Sequence, residues 1–235
     1  MRVISSFAIL FTLLGSQSSN AQDDTERRPT LRRRLNTTTT ATDPGSVPSD
    51  WMRIVGGQVA NANDYPWHVN LVGCGGSLIA PDVVLTAAHC RDLNPFSILI
   101  GGSTFVTGTP RFIQRGSETI HPDYSRVSNS HDFMLYKLTK PVTDREPVTL
   151  NNDANDPLPD STTQVLTVIG FGKTDEDDSD FSFNLREVQV NHVPYDNCQF
   201  QYLGALDEDS MFCAGVSGGG KDSCQGDSGT YHDWV

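Results

Sequence analysis

The chain has 235 residues, five cysteines and a formal net charge of −12. That length suits one or two compact domains with room for a real core. The charge is unevenly spread, +2 over residues 1–53 and −14 over residues 54–235, and an acidic domain with no basic stripe argues against nucleic acid as a partner.

Residues 1–21 read as a secretory signal peptide. Arg2 supplies the charged start, residues 7–14 the apolar core, and Ser19-Asn20-Ala21 a small-residue cleavage site. The apolar run is too short to span a bilayer, and no later segment could do so. The protein is therefore expected outside the cell, where disulfides persist. Residues 22–53 are poor in apolar side chains and carry an arginine patch (Arg27, Arg28, Arg32, Arg33, Arg34), a threonine run and turn signals at Pro44-Gly45 and Pro48. They read as a flexible pro-segment. Asn36-Thr37-Thr38 within it is the one N-glycosylation sequon of the chain.

From Ile54 onward, short runs rich in Val, Ile, Leu, Phe and Thr alternate with Gly, Pro, Asn and Asp clusters. The runs at 68–72, 83–86, 96–100, 133–138, 164–169 and 187–192 predict strands, at a spacing that suits an all-β fold. No long 3.6-residue period appears, and one short helix is predicted over 196–202. The run Asp175-Glu176-Asp177-Asp178-Ser179-Asp180 has the carboxylates that calcium takes but not EF-hand spacing, and reads as a solvated loop.

Asp222-Ser223-Cys224-Gln225-Gly226-Asp227-Ser228-Gly229 puts a serine on a tight glycine turn. A serine hydroxyl is a poor nucleophile at neutral pH and needs a neighbouring base. Thr86-Ala87-Ala88-His89-Cys90 offers a histidine beside a cysteine, and Asp132 opens the apolar run that starts at Phe133. Taken alone, a histidine is ordinarily structural and an aspartate before a strand is a turn residue. Together with Ser228, the order His, Asp, Ser is one of the chain orders of a catalytic triad. Ser228 would be the nucleophile, His89 would take and return the proton, and Asp132 would hold the imidazole tautomer. No CxxC or HxxxH spacing occurs, so no metal site is expected, and no cofactor either.

Over residues 54–229 the chain resembles the trypsin-like (chymotrypsin-fold) serine proteases. The resemblance rests on Arg53-Ile54-Val55-Gly56-Gly57, Cys74-Gly75-Gly76-Ser77-Leu78-Ile79, Thr86-Ala87-Ala88-His89-Cys90, His121-Pro122-Asp123-Tyr124, Asp132 with its apolar run, Gly170-Phe171-Gly172 and Gly226-Asp227-Ser228-Gly229. It implies two antiparallel six-stranded β-barrels, the first over about 54–150 and the second beginning near 151. It implies the disulfides Cys74–Cys90 and Cys198–Cys213. It further implies an oxyanion hole from the N–H groups of Gly226 and Ser228, and a specificity-pocket floor at Asp222 that selects Arg or Lys. Cleavage after Arg53 would free an amine on Ile54 to pair with Asp227, so the uncut chain is expected to be a zymogen. By the same resemblance a C-terminal part is missing from 54–235. The second barrel is then expected to be incomplete and Cys224 to lack its partner. The expected function is a secreted serine endopeptidase acting on proteins or peptides, with an activating protease and protein inhibitors as partners. The alternative is a non-catalytic homologue that acts as a binding protein.

Overall fold

The computed structural model describes residues 57–153, 160–173, 181–199, 202, 206–217, 221, 227–230 and 233–234. All of them belong to one compact unit. The signal and pro-segment (1–53), the acidic run 175–180, and Arg53, Ile54, Asn36, Asp222, Cys224 and Gly226 lie outside the described residues.

Two antiparallel sheets make up the unit. The first is built from β2 (His68–Asn70), β3 (Gly75–Ala80), β4 (Val83–Thr86), β5 (Ser97–Ile100), β6 (Thr109–Phe112), β7 (Thr119–Ile120) and β8 (Met134–Lys137), in the order β6-β5-β2-β3-β4-β8-β7. The sheet curls on itself. Ile113, one residue past β6, bridges Leu138, one residue past β8. The Gln114 N–H donates to the Lys137 carbonyl at 2.8 Å and the Thr139 N–H to that of Phe112 at 2.9 Å. Six strands thus close into a ring, with β7 outside it on β8. The second sheet contains β1 (Gln58–Val59), β9 (Val165–Gly170), β10 (Arg186–Val193), β11 (Cys213–Gly215) and β12 (Asp233–Trp234). It runs β1-β10-β9-β12, with β11 also on β10.

Alternating side chains explain why these segments are strands. Along β10 the burial alternates at every residue, and along β8 buried Met134 and Tyr136 alternate with less buried Leu135 and exposed Lys137. That period of two turns one face of each strand toward the core. The ring is filled by Val69, Leu78, Val84, Ile98, Ile100 and Met134, among others. The second sheet packs Leu166, Val168, Val188 and Val190 together. Each such fully buried side chain contributes roughly 1.5–3 kcal/mol.

The predicted strands match β2, β4, β5, β8, β9 and β10 to within two residues at each end. The run at 68–72 stops early because Val72 turns to φ 58° and its N–H is taken by the Asn70 side chain. Six further strands escaped the periodicity. β3 opens on Gly75-Gly76, β6 contains Pro110, and β1, β7, β11 and β12 have only two or three residues. The predicted helix begins one residue earlier than expected, as the single turn Tyr195–Cys198. No helix among the described residues is long and apolar enough to cross a membrane.

His68 in β2 is a polar side chain in this core. It is 2% exposed, its ring meets Phe171 edge-on at 5.4 Å, and neither ring nitrogen has a hydrogen-bond partner among the described residues. Burial lowers its pKa from 6.5 to about 4. The folded state therefore holds the neutral form, while the unfolded chain takes up a proton below pH 6.5. Stability from this residue is complete above that pH and is lost as the pH falls toward 4. The full effect is on the order of 3 kcal/mol. His68→Leu should flatten the difference in unfolding free energy between pH 7 and pH 4.5, measured by urea titration, while other groups titrate equally in both proteins.

Candidate active site

β4 and β8 lie side by side, with Thr86 opposite Met134. This pairing places residues just after β4 beside residues just before β8. Ala88–Leu93 coils into a 3-10 helix that carries His89. Its position is secured by the disulfide from Cys90 to Cys74. Asp132 lies two residues before β8 and is 5% exposed. One carboxylate oxygen accepts the backbone N–H of His89 at 2.8 Å. The other lies 2.6 Å from His89 Nδ1. An ionised carboxylate only accepts, so Nδ1 carries the proton and Nε2 keeps its lone pair. The His89 side chain is 41% exposed, so the imidazole is open to solvent. Burial first, and the charge of Asp132 second, raise the pKa of nearby Tyr124 above its ordinary value.

The Ser228 turn docks on the same sheet. The Ser228 carbonyl accepts the N–H of Gly75 at 2.7 Å, and the Gly75 carbonyl accepts the Thr86 hydroxyl at 2.7 Å. The turn is closed on itself, because the Thr230 hydroxyl donates to the Asp227 carbonyl at 2.6 Å. Gly229 has φ +83°, and a Cβ there would lie 2.6 Å from the Gly75 carbonyl oxygen. Only glycine meets both demands.

Asp227, beside the serine, is fully buried. It accepts the Gly172 N–H at 2.7 Å. A Cβ on Gly170 or Gly172 would fall 2.0 or 2.4 Å from its carboxyl group. The two glycines are thus the space into which this carboxylate fits. Nearby on the second sheet, buried Arg186 donates to the Gly57 carbonyl at 2.9 Å, and burial lowers its pKa. Gln58 and Tyr65 both donate to Glu187 at 2.6 Å. The chain entering β1 is therefore held on β10.

His89, Asp132, Asp227 and Ser228 are the predicted site residues that fall within the described residues, and the Cys74–Cys90 and Cys198–Cys213 disulfides are both formed. Sequence reasoning missed Arg186, Thr230 and the steric role of Gly75. Arg186 follows the inward alternation of β10, a signal visible only once that strand's register is known.

A match to the family model described as Trypsin covers residues 54–230. The chain belongs to the trypsin family. It is 36% identical over 193 residues to a trypsin-10 of Gadus morhua, covering 79% of this chain and 77% of that protein. It is 37% identical over 185 residues to a trypsin-2 of Salmo salar, covering 75% and 77%. A submandibular glandular kallikrein-9 of Rattus norvegicus is 32% identical over 204 residues, covering 78% and 76%. By lineage this trypsin-family chain is a serine endopeptidase, and its family implies protein substrates.

The contact between Gly75 and Thr230 supplies a test of the docking. A Cβ on Gly75 would sit 2.0 Å from the Thr230 methyl group. Gly75→Ala should lower stability by about 1–3 kcal/mol. Thr230→Ser removes that methyl, keeps the hydroxyl, and should restore most of the loss in the double variant. Urea unfolding of the two single variants and the double variant measures the coupling.

Proposed function

We propose that the protein is the secreted zymogen of an endopeptidase that cuts after arginine or lysine, with His89, Asp132 and Ser228 as its triad. The observation that carries the reading is the double hold of Asp132 on His89, through the backbone N–H at 2.8 Å and Nδ1 at 2.6 Å. An imidazole fixed in that tautomer and reachable by solvent suits a general base.

Ser228 Oγ attacks the substrate carbonyl while His89 Nε2 takes its proton. The imidazolium is stabilised by Asp132 and then returns the proton to the leaving amine. A water, activated in the same way, releases the acyl group. The N–H groups of Gly226 and Ser228 stabilise the oxyanion, a contribution of several kcal/mol where such donors are preorganised. Asp222 selects a basic side chain by charge complementarity. Cleavage after Arg53 frees the amine of Ile54, which pairs with Asp227 and orders the oxyanion turn. Asp227 is fully buried next to Ser228 and accepts the Gly172 N–H at 2.7 Å, and a buried carboxylate directly beside the nucleophile supports this switch. Arg53 itself fits the proposed specificity, so the enzyme can activate further copies of itself. Secretion rests on the leader reading of residues 1–21, and the two disulfides agree with an oxidising compartment.

Treatment with a trypsin-like activator should give a new N-terminus at Ile54 by Edman sequencing. The cut protein should then react with a fluorophosphonate probe at Ser228, while Ser228→Ala should not. His89→Ala should cut kcat by at least about a hundredfold. Correct cleavage without labelling would refute the activity. Asp222→Ala should abolish the preference for arginine and lysine substrates, and full retention of that preference would remove Asp222 from the pocket.

A further inference from the structure

Among the described residues, two clusters bring at least three metal-ligating side chains together. One is Cys74, His89 and Cys90, whose sulfurs are consumed in a disulfide. The other is His121, Asp123 and His131, whose ligand atoms all lie within 4.8 Å of one another. Nothing in the proposed catalytic cycle uses these three side chains.

The fold builds the second cluster from residues ten positions apart in sequence. His121 follows β7 directly, and its N–H donates to the Phe133 carbonyl at 2.9 Å. His131 ends the loop that returns to β8, in a left-handed turn at φ 53°. The loop is pinned at that end, because the His131 N–H donates to the Ser210 hydroxyl at 3.0 Å. The two imidazoles consequently stack, with centroids 4.8 Å apart and planes at 23°. All three side chains are at least partly exposed, so an ion has a path in.

Each ring is already oriented by a neighbour. His121 Nδ1 accepts the Asp123 N–H at 3.2 Å, which holds the ring against the segment that carries the Asp123 carboxylate, and an ion binding there replaces either that N–H at Nδ1 or the proton at Nε2. His131 Nδ1 lies 3.5 Å from Asp207 Oδ2. Asp207 is itself held by the Ser210 hydroxyl at 2.6 Å. A carboxylate behind one ring nitrogen keeps the proton there and leaves the other nitrogen free for metal, the arrangement by which proteins orient histidine ligands. Two imidazoles and one carboxylate suit zinc and its neighbours rather than calcium or magnesium, which take oxygen ligands. Ligand atoms around tetrahedral zinc are about 3.3 Å apart, so the cluster needs to close by no more than about 1.5 Å.

We propose that His121, His131 and Asp123 bind a divalent transition metal ion such as Zn²⁺, with Asp207 orienting His131. The site has a direct line to the chemistry, because His131 is the peptide neighbour of Asp132. Drawing His131 toward His121 moves the carboxylate that holds His89. This second statement rests on the triad reading above. A misplacement of about 1 Å in a catalytic site can cost a hundredfold, so the bound ion should lower kcat.

The binding test does not depend on catalysis. ZnCl₂ is titrated calorimetrically into the full chain carrying Ser228→Ala. One ion per chain is expected, with affinity at least tenfold weaker in His121→Asn and in His131→Asn. Asn is chosen at 131 because it tolerates positive φ. Asp207→Asn should weaken binding about ten- to a hundredfold. Zinc should raise the melting temperature of the Ser228→Ala chain but not that of the chain carrying His121→Asn as well. Melting curves without zinc show whether each variant folds, and His121→Asn, outside the left-handed turn, serves if His131→Asn does not. Undiminished binding in a folded His121→Asn variant overturns the site, as does binding that is lost only in His89→Asn. In the cleaved, active enzyme, a chelator-reversible fall in kcat supports the link to Asp132. Zinc that binds at His121 and His131 and leaves kcat unchanged overturns that link while the site stands.

Discussion

Ser228 offers its carbonyl to the Gly75 amide at 2.7 Å, and Gly75 offers its own carbonyl to the Thr86 hydroxyl. Through this short relay the serine turn is registered against β3 and the end of β4, two and three residues away from Ala88 and His89 respectively. His89 in turn is registered against the start of β8 by Asp132. Residues separated by 43 positions, and a serine a further 96 on, are therefore brought onto one sheet by hydrogen bonds that satisfy the backbone groups of Gly75, Ser228 and His89. Such groups must be satisfied wherever they are buried, which makes the relay a requirement of folding as much as of chemistry. The disulfide from Cys74 to Cys90 ties the residue preceding Gly75 to the residue following His89, so a covalent link runs parallel to the hydrogen-bonded one.

The same economy governs the carboxylate next to the serine. Asp227 occupies the volume that side chains at positions 170 and 172 would fill. Interiors are packed densely enough that a single methyl group is felt, so the two glycines act as a mould whose content is a carboxyl group. That explains why glycine stands on both sides of Phe171 while Phe171 itself joins the core with Ile169 and Leu185. His68 touches Phe171 from the first sheet, so the neighbourhood of the buried carboxylate also houses a histidine kept neutral by burial.

How much of this could be read from the letters alone depended on the range of the interactions involved. The strands that form short runs rich in Val, Ile, Leu and Thr, such as 83–86 and 164–169, were legible because their signal is local. β3 was not, since its glycines remove the periodic side chains, and their reason for being glycine lies at Leu85 and Thr230. Histidine, aspartate and serine were legible as chemistry through their order and flanking motifs. Their supports were not: Arg186 looks like any charged residue opening a strand, and nothing beside it in sequence announces that it is buried and bound to Gly57. The stacked pair of His121 and His131 escaped for a related reason. Spacing rules detect ligands that share a helix or a tight loop, whereas these two are joined by a turn whose closure is set by Phe133 and Ser210.

The Arg186 clasp on Gly57 has a mechanical side. With that carbonyl held, and with Gln58 and Val59 paired to β10, Ile54 stands three residues upstream of a fixed point. Three residues of extended chain reach about 10 Å. A chain end created at Ile54 is thus on a short leash, with its partner sought inside a small volume rather than across the surface. Under the zymogen reading, much of the entropy that would oppose capture of that end has already been given up when β1 forms, and loosening the leash at Arg186 would slow activation without touching any group that meets substrate.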